Sequence, residues 1–168
     1  MNRCQSTPPV LCIVGSQNAG KTTLVEKLIA EYKRRGFRVG TIKHHHIGDF
    51  EIDYPGKDSW RHTRAGADVV FLSSLFKTAM IKKVEQELTL EQITDLMGEV
   101  DIVLAEGYKE SDRPKILVCS SDPSRQANPA PENVICTVGY CDKFKGFPTF
   151  EPDDIQGLVN FLQPFFKE

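Results

Sequence analysis

The sequence feature that most constrains the fold is the motif GSQNAGKT, which runs from Gly15 to Thr22. It matches GxxxxGK[ST], a loop whose backbone N–H groups surround the β-phosphate of a nucleoside triphosphate. The lysine of such a loop, here Lys21, contacts the β- and γ-phosphate oxygens, and the threonine hydroxyl binds Mg²⁺. We therefore predict a nucleotide-binding site made by Gly15, Ser16, Gln17, Asn18, Ala19, Gly20, Lys21, Thr22 and Thr23.

The residues on either side of the motif predict the strand and the helix that such a loop connects. An apolar run with β-branched residues occupies positions 9–14 and is typical of a buried parallel strand. After the motif, apolar residues recur at helical spacing from Leu24 until Gly36 provides a stop signal. This order favours phosphate binding over a chance match, because a helix that begins near Gly20 adds its positive dipole end.

The length and composition indicate a single domain, residues 1–168, in which residues 1–8 form a flexible tail. The formal net charge of -2 shows no basic excess, so nucleic acid is not expected as a partner. No apolar run reaches the about 18 residues of a membrane-spanning helix. The five cysteines include no CxxC pair, so neither a disulfide framework nor a zinc knuckle is expected. We expect a cytoplasmic protein in a reducing setting.

The rest of the chain alternates predicted strands with predicted helices. Strands are predicted at 37–43, 68–73, 77–84, 101–107, 114–119 and 134–138, and helices at 57–65, 89–97 and 152–162. We expect the strand at 68–73 to be buried and the more polar one at 77–84 to lie at an edge. The alternation implies an α/β protein with a three-layer P-loop NTPase fold, in which helices flank a mostly parallel sheet.

Two carboxylates border the predicted strand 101–107. The ligands of open parallel sheets lie beyond the carboxyl ends of the strands, where Glu106 is expected. Asp101 lies at the other end, about 16 Å away, and cannot share a metal ion with it. We interpret Glu106 as a catalytic residue and a Mg²⁺ ligand that acts on the metal or on an attacking water. Lys109 lies in the polar loop that follows, over the same face, and is a candidate contact to a partner protein or cofactor.

A second acidic candidate is Asp53, in the DxxG sequence that ends at Gly56. GTPases use such a segment to hold the metal's water and the γ-phosphate. Asp53 is therefore a candidate catalytic residue and a candidate metal ligand together with Thr22 and Glu106, and Gly56 is a candidate nucleotide-binding residue. The alternative interpretation is a type I or II turn with proline at its second position.

The charged run after this segment contains Lys57, Asp58 and Arg61, at the predicted start of a short helix. Cations at a helix N-terminus oppose the helix dipole, so another group is needed to explain them. We predict that these three residues contact a partner protein or an anionic cofactor.

Two further features leave their roles open. The run His44, His45, His46 could ligate a metal, contact a nucleotide or partner, or be exposed to solvent. On an extended backbone at most two of the three rings share one face. Asp142, beyond a strand end, could recognise the edge of a guanine, but no NKxD motif is present to fix the base.

Together the motifs resemble the MobB family of molybdopterin-guanine dinucleotide biosynthesis adaptor proteins, over about Val10 to Phe161. The resemblance rests on the phosphate loop, on TIKH at 41–44, on DYPGKDS at 53–59 with AGA at 65–67, and on AEGYK at 105–109. It implies a homodimeric GTP-binding protein with at most slow GTP hydrolysis. Such a protein assists the guanylyltransferase that attaches GMP to the molybdenum cofactor. The chain departs from the family's usual pattern by having no acidic residue among its three histidines.

Two other function classes share parts of this pattern. A P-loop small-molecule kinase has the same phosphate loop, but it also needs an acceptor pocket and usually an arginine-bearing lid, which the sequence does not identify. A metallochaperone-type GTPase would use His44 to His46 to deliver a metal ion. Both therefore remain alternatives to the adaptor interpretation.

Overall fold

The structure is a computed structural model that describes residues 7–46, 48–125, 130–140 and 144–166. The chain divides into two compact units. The first contains Met1–His44 and Thr94–Glu168, and the second contains His45–Ile93. Among the described residues, no helix is long and apolar enough to cross a membrane.

The helices and strands follow the predicted alternation. In chain order they are β1 (Val10–Gly15), α1 (Lys21–Arg34), β2 (Val39–Lys43), α2 (Asp58–Arg64), β3 (Val69–Ser73), β4 (Thr78–Lys82), α3 (Leu90–Leu96), β5 (Ile102–Glu106), β6 (Lys115–Val118), β7 (Val134–Val138), β8 (Thr149–Phe150) and α4 (Ile155–Leu162). Short 3₁₀ turns occur at Pro123–Arg125 and Gln163–Phe166. The sequence did not predict β8, which has only two residues.

The first unit is built on a six-stranded sheet with the order β2-β5-β1-β6-β7-β8. Each pair of neighbouring strands in it is parallel. The strands β1, β5 and β6 are buried along their whole length, as their almost continuous apolar sequences predict for a sheet covered on both faces. The α/β fold with a parallel sheet flanked by helices is therefore confirmed.

One face of this sheet packs against α1 and α4. Leu11 and Ile13 alternate along β1 and so point to the same face. They belong to one buried cluster with residues of both helices, including Leu28, Leu158 and Leu162. Burial of each such side chain contributes about 1.5–3 kcal/mol. This packing fixes α1, and the loop that precedes it, against the end of β1.

Residues 107–114 connect β5 to β6, although β1 lies between these two strands in the sheet. Lys115, which has no exposed surface, holds this short connection. Its ammonium group donates to the backbone carbonyls of Ser111, Arg113 (3.4 Å) and Glu132 (2.9 Å). Three acceptors match the three donors of the ammonium group, which a fully buried lysine needs because an unpaired buried charge is costly.

The second unit contains α2 and a two-stranded antiparallel hairpin, β3–β4. The prediction that β3 is buried is wrong, because Val70 is buried but Val69, Phe71 and Leu72 are exposed. The reason is that β3 pairs with β4 in a separate sheet and does not join the central one. Val69, Phe71 and its cross-strand partner Met80 lie on one side of the hairpin. We call these three residues the apolar hairpin face.

α3 begins with the capping box that the sequence predicted. The backbone N–H of Gln92 donates to Thr89 Oγ1 at 3.2 Å, and the backbone N–H of Thr89 donates to Gln92 Oε1 at 2.9 Å. The two residues thereby satisfy two N–H groups that the helix itself leaves without partners.

The cysteines differ from the expectation at one position. Cys12 and Cys136 are free, buried thiols, and burial raises the pKa of Cys136 to about 12. Cys119 is disulfide-bonded. The sequence did not predict this bond, because the spacing of cysteines does not show which of them the fold brings together.

Candidate functional site

The predicted phosphate loop lies between the carboxyl end of β1 and the N-terminus of α1 in the first unit. A Cβ atom at Gly15 would lie 2.4 Å from the carbonyl oxygen of Val118 on β6, so only glycine fits there. Gly20, at the other end, has φ 95°, a left-handed conformation that glycine adopts without strain. The structure thus explains why both positions of the motif are glycine, and the predicted strand–loop–helix order is confirmed.

The N-terminus of α1 has no cap of its own. Gly20 is the N-cap residue and makes no side-chain cap, and the first turn contains no acidic residue. The first N–H groups of a helix have no intrahelical partners and carry the positive end of its dipole. In a helix of 14 residues, this end is suited to binding an anion such as phosphate.

Lys21 bends back over the loop that precedes it. Its Nζ donates to the backbone carbonyl oxygens of the first two loop residues, at 3.2 and 2.6 Å. Burial lowers the pKa of the Lys21 ammonium, the carboxylate of Glu106 raises it, and the cations Lys43 and Lys109 lower it further. Lys21 therefore experiences the charges of one carboxylate and two further lysines at this end of the sheet. The excess of positive charge attracts an anionic ligand.

Glu106 ends β5, and its register partners on the two neighbouring strands are Ile13 and Lys43. It is 7 % exposed. Its carboxylate accepts a hydrogen bond from Thr22 Oγ1, at 3.1 Å to Oε2 and 3.3 Å to Oε1. Lys43 Nζ forms an ion pair with Oε1. The structure therefore brings the hydroxyl of the phosphate loop and the carboxylate at the strand end into direct contact.

Asp53 and Gly56 lie in the second unit. The backbone N–H of Lys57 donates to the carbonyl of Tyr54 at 3.2 Å, and Gly56 has φ 89°. Residues 54–57 thus form the type II turn of the alternative interpretation. Asp53 Oδ1 accepts the N–H of Tyr54 at 2.8 Å. Asp53 Oδ2 is shielded from solvent and has no hydrogen-bond partner among the described residues, which makes it a candidate ligand atom.

The charged run lies in and beside α2. Lys57 is the N-cap residue, Asp58 lies in the first turn, and Arg61 lies in the last turn. The premise that Arg61 opposes the helix dipole is wrong, because α2 has only seven residues and places Arg61 where a cation is favourable. Arg61 also pairs with Asp58 at 3.8 Å. The side chains of all three residues are exposed.

The histidine run contacts aromatic rings. The ring of His44 stacks on Tyr108 in the first unit, with centroids 4.7 Å apart. The ring of His45 lies edge-on to Phe50 in the second unit, at 5.8 Å. Within the described ranges, no group of three or more His, Cys, Asp or Glu side chains could hold a metal ion. The metallochaperone alternative therefore gains no ligand cluster from the part of the chain that the structure describes.

Comparison with known proteins decides the family. The chain matches the sequence profile of molybdopterin guanine dinucleotide synthesis protein B, MobB, over residues 10–139. The chain belongs to the MobB family.

Relatives and solved structures agree with the MobB profile. The molybdopterin-guanine dinucleotide biosynthesis adapter protein of Escherichia coli is 30% identical over 166 residues, which cover 95% of this chain and 94% of that protein. The adapter protein of Haemophilus influenzae is 39% identical over 112 residues, or 66% of this chain and 62% of that protein. The crystal structure of Bacillus subtilis MobB superposes with a TM-score of 0.75 at 28% identity, covering 95% of this chain and 98% of that one.

The structure places at this candidate site two residues to which the sequence motifs gave no role. Lys43 ends β2, and the order β2-β5-β1 places this strand end beside Glu106. Arg125 lies in the 3₁₀ turn after β6, and an open cavity of about 460 Å³ is lined by Ser16, Gln17, Asn18 and Arg125. A lysine at a predicted strand end was a usable signal, whereas the sequence around Arg125 showed only an exposed loop. Asp142, the candidate guanine contact, lies outside the described residues.

Proposed function

We propose that this MobB-family chain is a GTP-binding adaptor that assists the guanylylation of the molybdenum cofactor. Its relatives from Escherichia coli and Haemophilus influenzae are named molybdopterin-guanine dinucleotide biosynthesis adapter proteins, and the proposal extends that role to this chain. The observation that carries it is the contact between Thr22 and Glu106 beside the phosphate loop. Nucleoside-triphosphate sites combine such a hydroxyl and carboxylate with a phosphate-binding backbone.

The loop and α1 together bind the phosphates in this proposal. The N–H groups at the N-terminus of α1 have no side-chain cap and are free to donate to phosphate oxygens. Lys21 exchanges its two carbonyl acceptors for phosphate oxygens, which form stronger, charge-assisted hydrogen bonds. Lys43 and Lys109, which act on Lys21, increase the local positive charge that holds the triphosphate.

Mg²⁺ is the proposed cofactor, and the donor atoms present suit it. Mg²⁺ prefers oxygen ligands from one or two protein groups together with phosphate oxygens. Thr22 Oγ1 and the Glu106 carboxylate supply oxygens 3.1 Å apart. When bound, the ion neutralises phosphate charge. Asp53, in the second unit, keeps an oxygen without a hydrogen-bond partner among the described residues, which suits the same kind of cation.

We propose that any hydrolysis is slow. The carboxylate of Glu106 accepts the single hydroxyl hydrogen bond of Thr22, which lies within reach of both oxygens, and Oε1 also pairs with Lys43. A general base must reach the proton that it abstracts, and a carboxylate engaged in this way has to exchange partners before it can orient a water molecule. Asp53, the other proposed catalytic carboxylate, already accepts a hydrogen bond from its own turn.

The proposed partners are a guanylyltransferase and its molybdopterin cofactor. Lys57, Asp58, Arg61 and Lys109 are exposed and present charge to a protein surface or to an anionic pterin. The apolar hairpin face supports a homodimer, because Phe71 is 63 % exposed and Met80 41 %, and exposed apolar patches mark association surfaces. We place the protein in the cytoplasm, where GTP is available.

Calorimetric titration with GTP and ATP, each with and without Mg²⁺, tests the nucleotide part of the proposal. We expect GTP to bind, Mg²⁺ to strengthen the binding, and ATP to bind at least about tenfold more weakly, a difference of roughly 1.4 kcal/mol. The proposal would be overturned if neither GTP nor ATP bound. Equal binding of both would overturn the choice of guanine.

A substitution at the strand end tests the role of the carboxylate. We expect Glu106→Gln to keep GTP affinity within about tenfold but to depress hydrolysis, because the carboxylate acts on metal or water more than on phosphate. Asp101→Asn is the matched control at the opposite end of the strand, where Asp101 pairs with Arg38, and it should leave turnover unchanged. Unchanged turnover in Glu106→Gln removes this residue from the mechanism.

A further inference from the structure

The chain leaves β6 beside the phosphate loop. Val118, the last residue of β6, is the register partner of Gly15. Cys119 then continues the strand direction, with its backbone N–H donating to the carbonyl of Val138 at 2.9 Å. In parallel sheets, segments that follow neighbouring strands at their carboxyl ends face the same ligand. The segment after β6 is thus placed where it can reach whatever the phosphate loop binds.

A series of local hydrogen bonds gives this segment a defined shape. The backbone N–H of Asp122 donates to Ser120 Oγ at 3.1 Å. Asp122 Oδ1 in turn accepts the backbone N–H and the hydroxyl of Ser124, at 3.0 and 2.7 Å. The backbone N–H of Arg125 donates to the carbonyl of Asp122 at 3.1 Å. The turn therefore fixes where the side chain of Arg125 begins.

The guanidinium of Arg125 forms an ion pair through Nε, and most of its side chain is exposed. Its Nε lies 3.3 Å from Asp122 Oδ2, and the side chain is 60 % exposed. A guanidinium has five N–H donors, so the pair with Asp122 leaves the Nη groups for an anion. Arg125 shares the lining of the 460 Å³ cavity with Ser16, Gln17 and Asn18, the loop residues whose backbone N–H groups would face a phosphate.

We propose that Arg125 donates its guanidinium to the terminal phosphate of a triphosphate bound in the phosphate loop. The assignment rests on the proposed nucleotide binding. An arginine that reaches the γ-phosphate oxygens from the same chain stabilises the charge they carry as the phosphate is transferred. Asp122 positions Arg125 without competing for all of its donors. The chain thus supplies in cis the arginine that sequence reasoning did not identify.

The experiment compares Arg125→Ala and Arg125→Lys with the unsubstituted chain. Calorimetry measures affinity for GDP and for a non-hydrolysable GTP analogue, and phosphate release measures GTP hydrolysis. Arg34→Ala is the matched control, because Arg34 is 63 % exposed and also pairs with a carboxylate, but lies at the other end of α1, about 20 Å from Lys21. Thermal unfolding checks that all variants fold.

We expect Arg125→Ala to weaken binding of the GTP analogue by about tenfold or more, which is the scale of a lost charge-assisted hydrogen bond. Binding of GDP should change by less than about threefold, because a diphosphate lacks the contacted group, and hydrolysis should slow by at least about tenfold. Arg125→Lys should recover part of the affinity but little of the hydrolysis, since a lysine keeps the charge without the planar donor geometry. Arg34→Ala should match the unsubstituted chain in both affinities and in the rate of hydrolysis.

Four results would overturn the assignment. Equal weakening for GDP and the GTP analogue would place Arg125 away from the terminal phosphate. Full recovery of hydrolysis in Arg125→Lys would show that a positive charge alone is sufficient. Unchanged binding and turnover in Arg125→Ala, with normal binding by the unsubstituted chain, would remove Arg125 from the site and leave the proposed function standing. If the unsubstituted chain binds no nucleotide, the proposed function fails and this assignment fails with it.

Discussion

The carboxyl end of the central sheet buries a charged side chain, whereas the β3–β4 hairpin exposes large apolar ones. At the sheet end, Glu106 is 7 % exposed and is paired with Thr22 and Lys43. On the hairpin, Phe71 is 63 % exposed, and Phe76 at its turn is 93 % exposed. A buried charge is stable only when it is paired, whereas an exposed apolar face gains free energy when it is covered. The difference points to a small charged ligand for the first region and a protein surface for the second.

The largest expected effect that tests this difference is at Lys21. We expect Lys21→Ala to abolish triphosphate binding and to leave the fold intact, because the hydrogen bonds that its ammonium group makes among the described residues go to loop carbonyls and not to the core. Calorimetry measures the affinity, and circular dichroism checks the fold. An affinity loss smaller than about tenfold, or roughly 1.4 kcal/mol, would contradict the assignment. Dimer formation should be unaffected, since that property is assigned to the hairpin.

The reciprocal change is a charge on the apolar hairpin face. We expect Phe71→Asp to convert the proposed homodimer to monomers while GTP affinity stays within about threefold, because a carboxylate buried at an interface without a partner is strongly unfavourable. Analytical ultracentrifugation measures the oligomeric state. Gln156→Asp, at an exposed position on α4, is the control for the added charge. If Phe71→Asp leaves the oligomeric state unchanged, the hairpin face does not form the dimer.

A smaller effect is expected from the charged residues of α2. We expect Lys57→Ala/Arg61→Ala to lower the stimulation of a guanylyltransferase, in a reconstituted assay, by more than it lowers GTP affinity. Both side chains are exposed, and the dipole of α2 explains Arg61 but not Lys57. Both quantities are measured on one preparation. If stimulation and GTP affinity fall equally, Lys57 and Arg61 belong to the nucleotide site. If neither quantity changes, the two residues only form a solvated helix end.

The parts of the site that sequence predicted are those determined by local order. The phosphate loop follows its own strand and precedes its own helix, so the motif at residues 15–22 could be recognised from the sequence alone. The carboxyl-end rule for parallel strands likewise placed Glu106 on the correct side. The capping box at Thr89 and Gln92 was predictable for the same reason, since its partners are three residues apart.

The parts that sequence missed depend on strand order. Lys43 meets Glu106 because β2 pairs with β5, and Arg125 nears the loop because β6 pairs with β1. Neither pairing follows the order of the chain. The burial of β3 was misjudged for a related reason, because an apolar strand in a central sheet and one in a separate hairpin have similar sequences, and only the pairing distinguishes them.

The smallest expected effect is on thermal stability and its pH dependence. It compares a buried ion pair of the first unit with an exposed one of the second. Glu31, on α1, is 7 % exposed and accepts hydrogen bonds from Arg34 and Arg35. These bonds lower the pKa of Glu31 from its ordinary value of 4.5 to about 2. A carboxyl whose pKa is lowered in the folded state stabilises that state above its unfolded pKa. The stabilisation is lost as pH falls through the folded value. We therefore expect thermal stability to decline between about pH 4.5 and pH 2, in part because of Glu31.

The matched pair of variants is Glu31→Gln and Glu51→Gln. Glu51 pairs with Arg64 in the second unit at 3.4 Å, but both side chains are about two-thirds exposed, and exposed pairs contribute little to stability. At pH 7, Glu31→Gln should lower the melting temperature and Glu51→Gln should leave it nearly unchanged. Below pH 3 the difference between Glu31→Gln and the unsubstituted chain should narrow, since Glu31 is then approaching protonation. A difference that stays constant from pH 7 to pH 2 would mean that Glu31 stabilises α1 through packing and not through its charge.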